Sequence, residues 1–266
     1  MVMESNKLLE VTGLTMDFGG LRAIDQVDFS ISAGEIVALI GPNGAGKTTV
    51  FNCITGIYEP TAGDVVIHAP GLAPRRINGM RANRITSLGM ARTFQNIRLF
   101  PAMTVLENIM IGRHCRTSTT ILDAILRTRK SVRERHETIE ESYRLLAKVG
   151  LAEVANEFSA NLAYGAQRRL EFARALATAP FLLLLDEPAA GMNPQETREL
   201  DELIVRIRAD EQVAILLIEH DMKLVMNISD RIYVMEYGKG IAQGTPREIK
   251  ENPRVIEAYL GEEVHA

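Results

Sequence analysis

Apolar and polar residues alternate along the first part of the chain. Leu8 to Thr15, Val27 to Ile31 and Glu35 to Ile40 predict strands, with turns at Gly19-Gly20 and Ala33-Gly34. A glycine-rich loop follows Ile40, then a helix from about Lys47 and a short strand at Gly63 to Ile67. From about Thr104 to Ala160 the spacing is helical, and Ile139, Tyr143, Leu146 and Val149 predict one buried face. The α/β rhythm then returns. Strands are expected at Phe181 to Leu185, Val213 to Glu219 and Arg231 to Met235, and helices from about Pro194 and over Asp221 to Ile228. Short helices are expected over Pro246 to Leu260.

The most apolar runs, Phe181 to Leu185 and Val213 to Ile218, are far shorter than the ~20 residues of a membrane-spanning helix. Each ends in acids, as buried strands of a parallel sheet do when they reach a polar site. The start, Met1 to Lys7, lacks the apolar segment of a secretory signal. A soluble protein is expected, with any membrane role carried by a partner.

A length of 266 residues suits one α/β core plus a subdomain. Thirty basic side chains against 34 acidic ones leave a net charge of −4, which gives no general attraction to nucleic acid or anionic lipid. The two cysteines, Cys53 in a predicted helix and Cys115 in a basic polar stretch, make a disulfide unexpected and suit a reducing cytosol.

The loop Gly41-Pro42-Asn43-Gly44-Ala45-Gly46-Lys47-Thr48 matches G-x-x-x-x-G-K-[ST] between a strand and a helix. Glycines let the backbone curl so that successive N–H groups face phosphate oxygens, and the helix N-terminus adds positive partial charge. Lys47 is placed for the β and γ phosphates and Thr48 for Mg²⁺, with Thr49 beside it. Leu182 to Leu185 lead into Asp186 and Glu187 at a strand's carboxyl end, where ligands of such sheets bind. Asp186 is the candidate metal carboxylate and Glu187 the residue that polarises water. His220 ends the neighbouring strand and is the candidate contact to the γ phosphate. His68, His114, His136 and His265 are expected to be structural.

These motifs, with Leu162-Ala163-Tyr164-Gly165-Ala166-Gln167 before a predicted helix, resemble ATP-binding cassette (ABC) ATPase subunits along nearly the whole chain. The resemblance implies a P-loop, RecA-like α/β core with an antiparallel β subdomain and an inserted α-helical subdomain. It divides one domain, 1–266, into core segments 1–95 and 164–266 and a helical subdomain 96–163 with a basic insertion at 113–135. It also implies that Phe18 stacks on adenine and that Gln95 contacts ATP and Mg²⁺ where core and helices join. Ala163, Tyr164 and Gly165 would meet ATP held by a second subunit. Ala163 stands where the family has a serine hydroxyl, so backbone N–H groups are expected to serve there. Asn193 replaces the usual aspartate of the loop before the Pro194 helix.

The branch that is most similar is the LivG type of branched-chain amino-acid importer ATPase, on Tyr164, on Glu219-His220-Asp221-Met222 and on Ala258-Tyr259-Leu260-Gly261. It implies two transmembrane permease subunits and a second ATPase, a LivF-like partner or a second copy. It implies a periplasmic binding protein acting indirectly, and a peripheral place on the cytoplasmic face of a bacterial inner membrane. Ile97 to Thr104 would receive a helix of the membrane subunit, the alternative being local packing. The basic stretch reads as a solvated face, with lipid headgroups as the alternative. Competing functions are a lipid or lipopolysaccharide exporter ATPase, a soluble non-transport ABC ATPase and a non-enzymatic cassette. Intact Lys47, Asp186, Glu187 and His220 oppose the last.

Overall fold

In the computed structural model, residues 6–119, 123, 126 and 128–263 are described. His265, most of the segment Met1 to Lys7, and residues 120–122, 124, 125 and 127 of the basic stretch lie outside them. The chain forms two compact units, Met1–Arg92 with Phe181–Ala266, and Thr93–Pro180.

The first unit contains two sheets. β1 (Lys7–Phe18) and β2 (Leu21–Ser32) form a hairpin that continues antiparallel through β4 (Ala62–Ile67) to β5 (Arg75–Arg76). β2 begins six residues before the strand expected at Val27, because bulges and a left-handed Gln26 break its alternation. The other sheet runs β10-β9-β3-β8-β7-β6. Its members are β3 (Ile36–Ile40), β6 (Met90–Arg92), β7 (Leu182–Asp186), β8 (Ala214–Ile218), β9 (Arg231–Glu236) and the antiparallel edge strand β10 (Lys239–Gly244). β3, β7 and β8 are buried at every position. One face shares a core with the first sheet and with α1 (Lys47–Ile54), through Leu14, Phe51, Leu184 and Leu216. The other face packs Ile40, Val234 and Ile249 against Val225. Two covered faces explain why these strands read as unbroken apolar runs.

Three short helices complete this unit: α2 (Ala82–Ser87), α7 (Met222–Ile228) and α8 (Pro246–Lys250). Two longer ones, α6 (Pro194–Glu211) and α9 (Pro253–Glu263), belong to it as well.

The second unit is helical. α3 (Val105–Arg113) starts with a capping box between Thr104 and Glu107 and packs on α4 (Arg129–Lys148) and α5 (Tyr164–Leu176). Gly112 is needed at the α3–α5 contact, since a Cβ there would lie 2.4 Å from the Arg174 carbonyl oxygen. Because α5 packs on α3, this unit is wider than the expected 96–163.

The buried face of α4 keeps Leu146 and runs on to buried Val149, as expected, but differs at its other positions. Thr138, Ser142, Leu145 and Leu146 point inward, and Tyr143 is 39% exposed. Thr138 and Ser142 can be buried because their hydroxyls donate to carbonyls one turn back, at 2.8 and 2.6 Å. Arg116, from the stretch read as solvated, donates to the carbonyls of Thr178 and Ala179 at 2.5 and 3.2 Å. It satisfies acceptors left beyond the end of α5.

α6 carries one electrostatic misfit. Burial, then the charges of Asp221, Glu219 and Glu202, push the Asp201 carboxyl from near 3.8 up to about 6. Its Oδ1 is buried without a hydrogen-bond partner. The folded state therefore binds this proton more tightly than the unfolded chain. Stability from Asp201 is highest at low pH and falls as pH rises from 3.8 through about 6. Asp201→Asn is expected to raise the melting temperature by about 2–4 °C at pH 8. The gain should vanish near pH 4, as followed by thermal unfolding at both values.

Candidate functional site

The strand ends set the site. Asp186 of β7 pairs with Ile218 of β8, and Ile218 with Leu39 of β3, so β7 and β8 stop at one level and β3 one residue beyond it. The residues that follow are Glu187, then Glu219 and His220, then Gly41.

Gly41 has φ 150°, and a Cβ on it would lie 2.0 Å from the Met235 carbonyl oxygen of β9, so no other residue fits there. Gly46 takes φ 97° as N-cap of α1, with no side chain capping the helix and no acid in its first turn. The first N–H groups of α1 thus lack intrahelical partners and suit an anion. Lys47 is buried, and its ammonium donates to the Gly41 and Pro42 carbonyls at 2.5 and 2.8 Å. Thr48 on the same turn is exposed.

Asp186 is 5% exposed and its Oδ2 accepts from Arg92 Nη2 at 2.6 Å. Arg92 also donates to Asn52 Oδ1 at 2.8 Å and Thr55 Oγ1 at 3.2 Å, at the end of α1, with the Phe51 ring 5.4 Å away. This network ties the strand-end acid to the helix of the phosphate loop. Sequence reasoning missed it. The available signal was an arginine ending a short buried strand, which must be paired.

Glu187 adopts the left-handed conformation, φ 48°, unusual for a side chain of its size. Its N–H donates to Ile218 O at 2.9 Å, and its Oε1 lies 2.7 Å from His220 Nε2. Such strain costs about 1–3 kcal/mol and persists where surroundings enforce it. Glu219, also missed, helps to do so. Its buried carboxylate accepts from the N–H groups of Ala189 (2.8 Å), His220 (2.7 Å) and Asp221 (3.3 Å). The loop after β7 and the loop after β8 are thus pinned together. Asn193 then caps α6, accepting from Gln195 and Glu196 N–H, a task it performs as well as aspartate.

Phe18 ends β1 with 41% of its surface exposed, and Tyr58 meets its ring edge-on at 5.3 Å. Tyr58 carried no expectation. Gln95 and the segment from Ala163 to Gly165 belong to the helical unit. Gln95 is exposed, and Ala163 is the N-cap of α5 without a side-chain bond. Cys53 is buried in α1, where desolvation pushes its thiol up to about 11 and leaves it unreactive.

The described residues contain no group of three or more His, Cys, Asp or Glu side chains able to hold a metal alone. The hydroxyl of Thr48 and the carboxylate of Asp186 are hard oxygen donors. That set fits Mg²⁺ bound mostly by phosphates and water.

Comparisons with known proteins agree in kind. The ABC transporter family pattern matches residues 24–190, and a branched-chain amino acid ATP-binding cassette transporter pattern matches residues 241–265. The high-affinity branched-chain amino acid transport ATP-binding protein LivG of Salmonella typhimurium is 52% identical, over 97% of this chain and 99% of that one. BraF of Pseudomonas aeruginosa, named for the same transport, is 49% identical over the same shares. Among solved structures, the ADP conformation of MJ1267, an ATP-binding cassette of an ABC transporter, superposes with a TM-score of 0.82 at 29% identity, over 97% of this chain and 100% of that one.

Arg92→Met would leave Asp186 buried and unpaired, which is expected to cost about 3–5 kcal/mol in urea unfolding. The double variant Arg92→Met/Asp186→Leu should recover most of that loss.

Proposed function

The chain belongs to the ABC transporter ATP-binding family, and on that premise we propose that it is the ATP-hydrolysing subunit of an importer for branched-chain amino acids. The observation that carries the reading is that three neighbouring strands end within one residue of a common level, which gathers a phosphate loop, an acid pair and a histidine at one edge of the sheet.

The loop from Gly41 to Thr49 takes the phosphates on its backbone N–H groups and on Lys47. Phe18, steadied by Tyr58, offers its face to the adenine. Thr48 and Asp186 would hold Mg²⁺, with Gln95 as a further contact, and the charge neutralisation it would supply is that of a Lewis acid on the phosphates. Glu187 accepts a hydrogen bond from the attacking water and polarises it, and His220 keeps the Glu187 carboxylate in place. Water adds to the γ phosphorus as its bond to the bridging oxygen breaks, leaving ADP and phosphate. Ala163, Tyr164 and Gly165 approach ATP in a second subunit, through N–H groups at the start of α5, where no acid stands in the first turn. ATP then favours a closed pair, and loss of the γ phosphate removes that preference.

Membrane permease subunits are partners of such a chain. No described helix is long and apolar enough to cross a membrane, so attachment runs through those partners. The finer assembly is two permeases, a LivF-like second ATPase or a second copy, and a periplasmic binding protein acting indirectly. Its place is the cytoplasmic face of a bacterial inner membrane. The segment Ile97 to Thr104 fits the docking surface. Its backbone is tied down by Ser159 and Asn108 at Phe100, whereas the Phe100 and Met103 side chains are 45% and 36% exposed.

Glu187→Gln is expected to bind ATP as the wild type does and to lower steady-state ATPase at least about 100-fold. Equal, background-level rates in both proteins would refute the enzymatic reading. Leu99→Glu with Phe100→Glu should abolish co-purification with the permease subunits while the isolated chain still binds ATP. Unchanged assembly and transport would refute the docking surface.

A further inference from the structure

Within the helical unit, a buried ion pair on α5 grips the loop that carries Gln95. Arg168 and Glu171, about one turn apart, are 4% and 2% exposed, and Arg168 Nη1 lies 3.3 Å from Glu171 Oε2. The same guanidinium donates through Nη1 to the Phe94 carbonyl at 2.8 Å and through Nη2 to the Gln95 carbonyl. From the other side, Glu171 Oε1 accepts from the Arg98 backbone N–H at 3.2 Å. The Arg98 guanidinium folds over the Phe94 ring at 4.3 Å and closes the loop on itself. The loop is thus held at 94, 95 and 98, and Gln95 itself stays exposed.

Salt bridges on a helix surface contribute little and rarely link separate segments. This one is buried, and both Nη atoms and Glu171 Oε1 bond to backbone of a second segment, while Arg168 Nε has no hydrogen-bond partner. Reaching two carbonyls at once needs the planar fork of an arginine. Its position also matters, because Arg168 lies one turn into the helix that begins at Tyr164, with its guanidinium 5.7 Å from the Tyr164 ring.

We propose that Arg168 is a positioning residue that makes the Gln95 loop and the head of α5 one rigid piece, so that displacement at Gln95 is delivered to Tyr164 and Gly165. Through them it reaches the nucleotide of the second subunit. The inference rests on the roles proposed above for Gln95 and for the start of α5. It adds the part that joins them.

The discriminating variant is Arg168→Lys, which keeps a charge for Glu171 but cannot reach two carbonyls at once. In the complete transporter, reconstituted in vesicles, it is expected to lower the number of substrates moved per ATP hydrolysed by about 2–30-fold. The isolated chain should retain its Kd for ATP. An unchanged transport-to-hydrolysis ratio would overturn the proposal. Should Arg168→Lys not fold, Glu171→Gln serves, with the same expected loss and the same contrary result. Gln95→Ala separates the two levels. If it impairs the ratio and Arg168→Lys does not, the clamp alone fails. If Gln95→Ala leaves the ratio intact, the underlying role of Gln95 fails and the proposal with it.

Discussion

Everything in the nucleotide core depends on a register. Parallel strands have no hairpin to align them, so hydrogen bonding and packing alone decide where each one stops. Here Leu39, Ile218 and Asp186 share one level. A shift of one residue in any strand would also turn its side chains to the opposite face. Since both faces of the sheet are covered, such a slip meets packing penalties on each side. The same burial that makes the strands uniformly apolar therefore keeps the phosphate loop, the acids and the histidine together.

Around those ends the structure uses buried charges as fasteners. Asp186 is tied through Arg92 to the end of α1, and Glu219 pins the loop after β7 to the one after β8. Arg168 and Glu171 do comparable work inside the helical unit. Each removes a charge from water, which is costly unless every partner is present. The return is rigidity where charge must be handled. Asp201 is a misfit rather than a fastener, since it lies near Glu219 and Asp221 with its carboxyl pushed up by burial and by their charge.

Much of this was legible in the sequence because its signals are local. A glycine loop needs fixed spacing, and the run Leu182 to Asp186 records a strand buried on both faces. β10 escaped notice because Lys239 to Gly244 carries little apolar signal, being an exposed edge joined by a turn at Tyr237 and Gly238. The face of α4 was read only in part, at Leu146 and Val149, because buried hydroxyls that bond to their own helix read as polar positions. The role of Arg92 was hidden for another reason. Its partners Asn52, Thr55 and Asp186 are distant in sequence, and pairing across the fold leaves no periodicity.

The account's central claim is that these strand ends form one ATP site. A crystal structure of Glu187→Gln grown with ATP and Mg²⁺ tests it most directly. The expected result has the β and γ phosphates on the N–H groups of Gly44 to Thr49 and within hydrogen-bond reach of Lys47. Thr48 and Asp186 should stand on the metal side, and the residue 187 amide and His220 beyond the γ phosphate. Nucleotide bound elsewhere, or phosphates turned away from Lys47, would contradict it.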